Sequence, residues 1–154
     1  MFAEIRRKER TMSSQQAKEV LESGSYGILS MCGQNNYGYG VPLNYVVEEN
    51  HIYFHCATEG EKLRSLKVNN KVSFCVVQNA EVIAEKFTTN YKSSITFGKA
   101  TIVSSEEEIR HAMLLILKKY TPEHIETGEK YINQAITRIQ VIRIDIEHIS
   151  GKIN

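Results

Sequence analysis

Between Arg138 and Ile149 the chain alternates: Ile142, Ile144 and Ile146 are interleaved with Arg143, Asp145 and Glu147. A period of two suits a strand with one face buried and cannot suit a helix, whose faces repeat every three to four residues. Much of the chain breaks into pieces of the same kind. Tyr26–Cys32, Tyr37–Val47, His51–Cys56, Lys71–Val77 and Ser93–Val103 all read as strands. Gly33–Asn36 and Glu48–Asn50 are turns rich in residues that tolerate positive φ. Such short connections favour antiparallel pairing. Six or seven strands result, depending on whether Ala80–Ala84 is one. We expect Glu85–Lys92 to be a polar loop.

Helical signals are fewer. Ser13 or Ser14 opens a helix with Ala17, Val20 and Leu21 on one face, and Gly24 ends it. Ser105 and Glu108 match a capping box ahead of a stripe of Ile109, Met113, Ile116, Leu117 and Tyr120. Pro122 starts a further helical stretch, expected to break near Gly128. The fold class is therefore α+β and β-rich, a Greek-key antiparallel barrel with peripheral helices. Three local irregularities stand out. Pro42 donates no ladder hydrogen bond, so Tyr37–Val47 belongs at an edge or carries a bulge. The apolar period of Ser93–Val103 slips at Gly98, which predicts a bulge. Lys71–Val77 is apolar on both faces, as in a barrel wall that lies against a partner subunit.

Residues 1–154 form a single domain on length. A formal net charge of +1 gives no reason to expect nucleic acid or a membrane as partner. The three cysteines form no CxxC pair, which fits a reducing cytosol, and we expect a cytoplasmic protein. No apolar run approaches a membrane span, and no apolar segment follows the basic start as in a signal peptide. Arg6, Arg7, Lys8 and Arg10 lie in an aperiodic segment that could reach an anionic ligand but reads first as a solvated arm.

Metal chemistry is not expected. His51 and His55 share a strand face but lie about 13 Å apart from the rise per residue, too far to grip one ion. No GxSxG, HExxH or P-loop occurs, and no carboxylate pair stands out as an acid/base couple.

Chemistry concentrates where His51–Cys56 gives way to a helix. Thr58 and Glu61 match a capping box with Thr58 as N-cap, and Leu63 and Leu66 share one helix face. The free N–H groups of a first helical turn converge with partial positive charge, Lys62 adds a full one, and Gly60 permits close approach. That is a phosphate cradle in outline. It is equally the capped start of any helix that follows a strand, and Glu59 and Glu61 would repel an anion there. From the residues alone, Cys56 reads as a packing residue.

Five segments carry a family resemblance in order and spacing: Arg6–Arg10, Gly40–Tyr45, Ile52–Leu66, Asn69–Phe74 and Tyr91–Ala100. Together they resemble the pyridoxamine phosphate oxidase-like FMN-binding split barrels, and within them the nitroimidazole-resistance branch. The resemblance implies a homodimer that binds FMN. It implies that Lys62, the helix start at Thr58 and His55 hold the phosphate, that Cys56 and Ala57 belong to the same cofactor site, and that Val41, Pro42, Leu43, Asn44 and Tyr45 flank the ring. Tyr91 and Ser93 would reach across the dimer to the other subunit's flavin.

The implied activity passes electrons from a reduced nicotinamide or another small-molecule donor to a small acceptor such as a nitroaromatic. An absence of diagnostic catalytic side chains suits a protein whose chemistry comes from its cofactor. Oxidation of pyridoxamine phosphate itself is not expected, because no second basic cluster is visible for a substrate phosphate. Two other readings stay open: a flavin- or haem-binding module without turnover, with His55 or His148 as axial ligand, and a ligand-free dimerisation domain.

Overall fold

The computed structural model describes residues 2–33 and 35–154; Gln34, inside the expected turn after the first hairpin strand, lies outside them. Among the described residues eight strands form one antiparallel sheet that curls into a split barrel, with four α-helices outside. The strands are β1 (Thr11–Met12), β2 (Gly27–Cys32), β3 (Gly38–Leu43), β4 (Val46–Glu48), β5 (His51–Ala57), β6 (Lys71–Ile83), β7 (Thr88–Ile102) and β8 (Ile139–Ile153). The helices are α1 (Ser14–Ser23), α2 (Glu61–Val68), α3 (Glu106–Tyr120) and α4 (Ile125–Ala135). The order across the sheet is β3-β2-β6-β7-β8-β5-β4, with β1 paired to β8.

The expected α+β barrel is present, with eight strands rather than six or seven. Tyr37–Val47 is not one strand. It parts at Asn44–Tyr45 into β3, which pairs with β2, and β4, which pairs with β5. The alternation survives the break because Tyr45 turns inward and is fully buried. Pro42 sits on β3, an edge strand, where its missing donor costs no ladder bond. The Gly98 slip is a bulge: Phe97 pairs with His148 and Gly98 with Ile146. A Cβ on Gly98 would lie 2.3 Å from Asp145 O, so the close strand approach needs glycine there.

The expected polar loop at Glu85–Lys92 is instead a continuation of β6 and β7 into a long two-stranded ribbon. A 3-10 turn at Ala84–Lys86 closes it, with Phe87 at φ 49°. Polar side chains hide this ribbon from a hydrophobicity reading because its tip has no core to bury against. Pairing supplies what apolar patterning does not.

One core fills the barrel. Phe54, Phe74, Tyr45, Leu29, Ile52, Ile142 and Ile144 are wholly buried in it. Tyr45 meets Phe74 edge-on at 4.7 Å. Ser13 caps α1 with a full capping box: its Oγ accepts from Gln16 N (3.2 Å), and Gln16 Oε1 accepts from Ser13 N (2.9 Å). Gly24 follows α1 for space, since a Cβ there would sit 2.5 Å from Val76 Cγ1.

A second cluster lies under α3 and α4, around Val141, Met113 and Ile132. Only half the predicted box forms at α3. Ser105 Oγ accepts from Glu108 N, but the Glu108 carboxylate leaves to bind Arg143 (2.8 Å) and the Tyr53 hydroxyl (3.1 Å). α4 runs unbroken through Gly128, and the glycine there serves close packing, since Leu117 fills the space a Cβ would take.

Candidate functional site

The split in the barrel follows from register. β4 and β5 pair from Glu48–His51 to Val46–Tyr53 and no further. Beyond that point β3 swings away to β2, while β5 continues along β8 to Ala57, opposite Ile139. The chain segments 41–45 and 55–58 thus leave the same junction without pairing to each other, which makes them the two lips of the split, and α2 follows the second in the chain.

Gly60, not Thr58, is the N-cap of α2. Its backbone at φ 131°, ψ 174° is open only to glycine, and no side chain caps the helix. Thr58 is exposed and makes no capping bond. The predicted box fails because Glu61 is claimed by its own helix. Its Oε2 accepts from Arg64 Nη2 (2.9 Å) and Nε (3.1 Å), and its Oε1 accepts from Ser65 Oγ (3.2 Å). Two effects follow for an anion. The first-turn N–H groups stay uncapped and available. The carboxylate that would repel a phosphate is turned along the helix and paired with a cation.

Lys62 is half-buried, with Nζ 5.7 Å from the centre of the Phe54 ring. It lies close enough to His55 and Cys56 to influence both. Burial of the ring, and next the Lys62 charge, lowers the His55 pKa from its ordinary value and so favours the neutral imidazole. Burial raises the Cys56 thiol, against the pull of Lys62. A thiol held protonated is no nucleophile, so Cys56 serves as wall. Ala57 is exposed beside it. His55, Cys56, Ala57, Gly60 and Lys62 therefore share one neighbourhood, and its donor set suits a phosphate.

On the opposite lip Val41 and Leu43 pack inward against the core, while Pro42 and Asn44 face solvent. Tyr45 is expected beside the ring, but its side chain is enclosed in the core with its hydroxyl donating to Leu21 O. It shapes the lip from beneath and offers a ligand no side-chain surface. Sequence reasoning missed what fixes this lip. Asn44 Nδ2 donates to Ser25 O (2.9 Å), and the Tyr120 hydroxyl accepts from Tyr45 N (3.0 Å) while facing Ser25 O (2.7 Å) and Tyr45 O (2.8 Å). Lys119 Nζ lies 4.1 Å over the Tyr45 ring without a hydrogen-bond partner, and burial pushes its pKa down to about 8. No local pattern links Tyr120 to Tyr45; only packing of α3 on the barrel does.

Tyr91 and Ser93 are not at this opening within one chain. β7 reaches the α2 end at Ala100, whose N–H donates to Asn70 O (2.8 Å). Tyr91 lies about 30 Å back along the strand from the rise per residue, and Ser93 is buried there. His148 is stacked under Phe2 at 4.7 Å. All three cysteines are free, and among the described residues no group of three His, Cys, Asp or Glu side chains is placed to hold a metal ion. No helix among them is long and apolar enough to cross a membrane.

The family model described as pyridoxamine 5'-phosphate oxidase matches residues 13–153. Solved structures with the same fold include a candidate 5-nitroimidazole antibiotic resistance protein from Bacteroides thetaiotaomicron VPI-5482. It is 21% identical with a TM-score of 0.82, over 93% of this chain and 86% of that one. An FAD-binding protein from Mesorhizobium loti is 23% identical with a TM-score of 0.65, over 94% and 97%. An FAD and haem binding protein from Mycobacterium smegmatis is 12% identical with a TM-score of 0.81, over 96% and 74%. No curated protein matches the sequence significantly.

Proposed function

We propose that this chain, which belongs to the pyridoxamine 5'-phosphate oxidase family, is an FMN-dependent oxidoreductase that works as a homodimer. The observation that carries the reading is the bare first turn of α2. Its N–H groups, Gly60 and Lys62 form an anion cradle at the mouth of the split, and Glu61 is tied back to Arg64 and Ser65. The fold neighbours described as flavin-binding support the choice of ligand, and the nitroimidazole-resistance neighbour supports a small reducible acceptor.

The flavin ring supplies the redox chemistry. The chain's own residues do the rest. Lys62 and the α2 N–H groups hold the phosphate. The 41–44 segment, clamped by Asn44 and Tyr120, gives the ring a rigid edge. His55, its neutral form favoured, stands at the opening as a proton donor or acceptor. The sequence shows no separate nicotinamide motif, so a reduced nicotinamide or other donor and a small acceptor would use this one mouth in turn. The dimer rests on the outer sheet face, where Val77, Ile95 and Phe97 on the paired strands β6 and β7 leave apolar surface in solvent.

The purified protein is expected to show the two long-wavelength bands of oxidised flavin, to run as a dimer, and to oxidise NADH or NADPH with a nitroimidazole acceptor faster than free FMN does. A rate no greater than free FMN would remove the reductase claim and leave a binding module. A haem-type spectrum would favour the haem neighbour's chemistry instead, with His55 as the axial candidate, since His148 is covered by Phe2.

A further inference from the structure

Lys119 takes no part in holding the cradle, and stability does not explain it. It stands in the last turn of α3, where a lysine ordinarily runs its stem along the surface and keeps its head in water. Here the head is buried. Nζ has no hydrogen-bond partner among the described residues and lies 4.1 Å from the centre of the Tyr45 ring and 5.3 Å from that of Tyr120. Two aromatic rings offset part of the cost of burying a charge. They do not offset all of it, since burial alone pushes the pKa down to about 8. Tyr45 from the lip and Tyr120 from α3 are the titratable groups that face it. A methionine would fill much the same space without the charge. What the lysine adds is an uncompensated positive charge, and a costly charge kept behind a binding lip points to a role in what binds.

The fold fixes where that charge stands. Tyr45 is the knot at which β3 parts from β4. Its N–H and its C=O both meet the Tyr120 hydroxyl, its own hydroxyl donates to Leu21 O, and Phe74 meets its ring edge-on. One residue earlier, Asn44 is exposed on the lip and tied to Ser25 O. Lys119 is therefore held behind the 41–45 segment, on its protein side. A charge with no counter-ion, in surroundings of low dielectric, is weakly screened, so its field is felt on the outer side of the lip.

We infer that the Lys119 ammonium tunes a flavin held at the 41–45 lip, favouring the reduced cofactor over the oxidised one. A hydride from a reduced nicotinamide brings two electrons and one proton. The ring is then one negative charge richer until a second proton arrives, and a nearby unpaired cation stabilises that charge. Lys119 acts through its field and touches neither cofactor nor substrate. The inference rests on the flavin reading and adds to it the residue that sets how readily the cofactor is reduced.

The test has two parts. In the flavin-free protein, an NMR titration follows the Lys119 side chain, its signals identified by their loss in Lys119→Met. The charge is expected to be lost near pH 8; titration at the ordinary value of 10.5 would overturn the inference. In the FMN-loaded protein, the midpoint potential is measured at pH 7 and at pH 9.5 in wild type, Lys119→Met and Lys119→Arg. At pH 7 Lys119→Met is expected to lie below wild type and Lys119→Arg beside it. At pH 9.5, where the lysine has lost its charge, wild type and Lys119→Met are expected to coincide, with Lys119→Arg above both. A mere packing effect would persist at both pH values. Equal potentials of wild type and Lys119→Met at pH 7, or a gap between them that survives at pH 9.5, overturn the inference. Circular dichroism and FMN affinity of each variant are the folding controls. Failure of wild type to bind FMN would remove the flavin reading, and this inference with it.

Discussion

The two ends of the barrel present positive charge in different ways. At α2 one lysine and a set of backbone N–H groups stand over a fully buried ring, Phe54. At the other end Arg7 and Arg10 of the N-terminal arm and Lys86 of the ribbon tip lie around a two-stranded ladder with no core beneath it and an exposed Phe87. The first arrangement fixes few donors rigidly and suits a cofactor that stays. The second spreads charge over an open, shallow surface. Precision at α2 comes from packing and from a glycine; at the tip, attraction comes from charge, which salt screens.

That contrast can be broken at its base. Removing a phenylalanine from each end is expected to give very unequal results. Phe54→Ala should cost about 3–5 kcal/mol of stability, the usual cost of emptying a buried aromatic site, seen as a lower denaturant midpoint. Lys62→Ala should leave stability alone and weaken FMN by about 1.5–3 kcal/mol, the range for a hydrogen bond to a charged group, read by fluorescence titration. Gly60→Ala should cost about 1–3 kcal/mol, because its backbone region excludes a side chain, and should loosen FMN with it.

Lys119, behind the 41–45 lip, gives a pH signature. Its pKa is lowered when folded, so between about pH 8 and the ordinary value of 10.5 the unfolded chain binds more protons. Stability therefore rises with pH from about 8 and carries the full penalty below it. The groups facing it are the Tyr45 and Tyr120 rings. Burial raises the Tyr45 hydroxyl, and that of Tyr53 on β5 is pushed up to about 12. Those groups oppose the trend once unfolded tyrosine ionises near pH 10. Lys119→Met should flatten the rise between pH 8 and 9.5 in denaturant titrations and raise stability at pH 7. The smallest effect belongs to the other end: Phe87→Ala should change stability by less than about 0.5 kcal/mol, as surface substitutions do.

The same contrast explains what could be read from the sequence. Ile142, Ile144 and Ile146 announce β8 because half of that strand faces the core, and the slip at Gly98 announces its bulge. The α2 region was legible in its residues but not in its capping. Thr58 and Glu61 match a box by spacing, yet Arg64 and Ser65, one turn on, take the carboxylate. The ribbon at residues 78–92 was illegible because its pairing buries little. The clamp of Tyr120 on Tyr45 and the gathering of Arg7, Arg10 and Lys86 depend on tertiary distance, which no local pattern encodes.

The most direct measurement of the account is a paired titration of wild type and Lys62→Ala with FMN and with riboflavin, which lacks the phosphate. If the α2 start holds that phosphate, wild type binds FMN far more tightly than riboflavin, and Lys62→Ala weakens FMN by about 10- to 150-fold with riboflavin scarcely changed. Equal affinity of wild type for the two flavins, or no loss of FMN in Lys62→Ala, would contradict it.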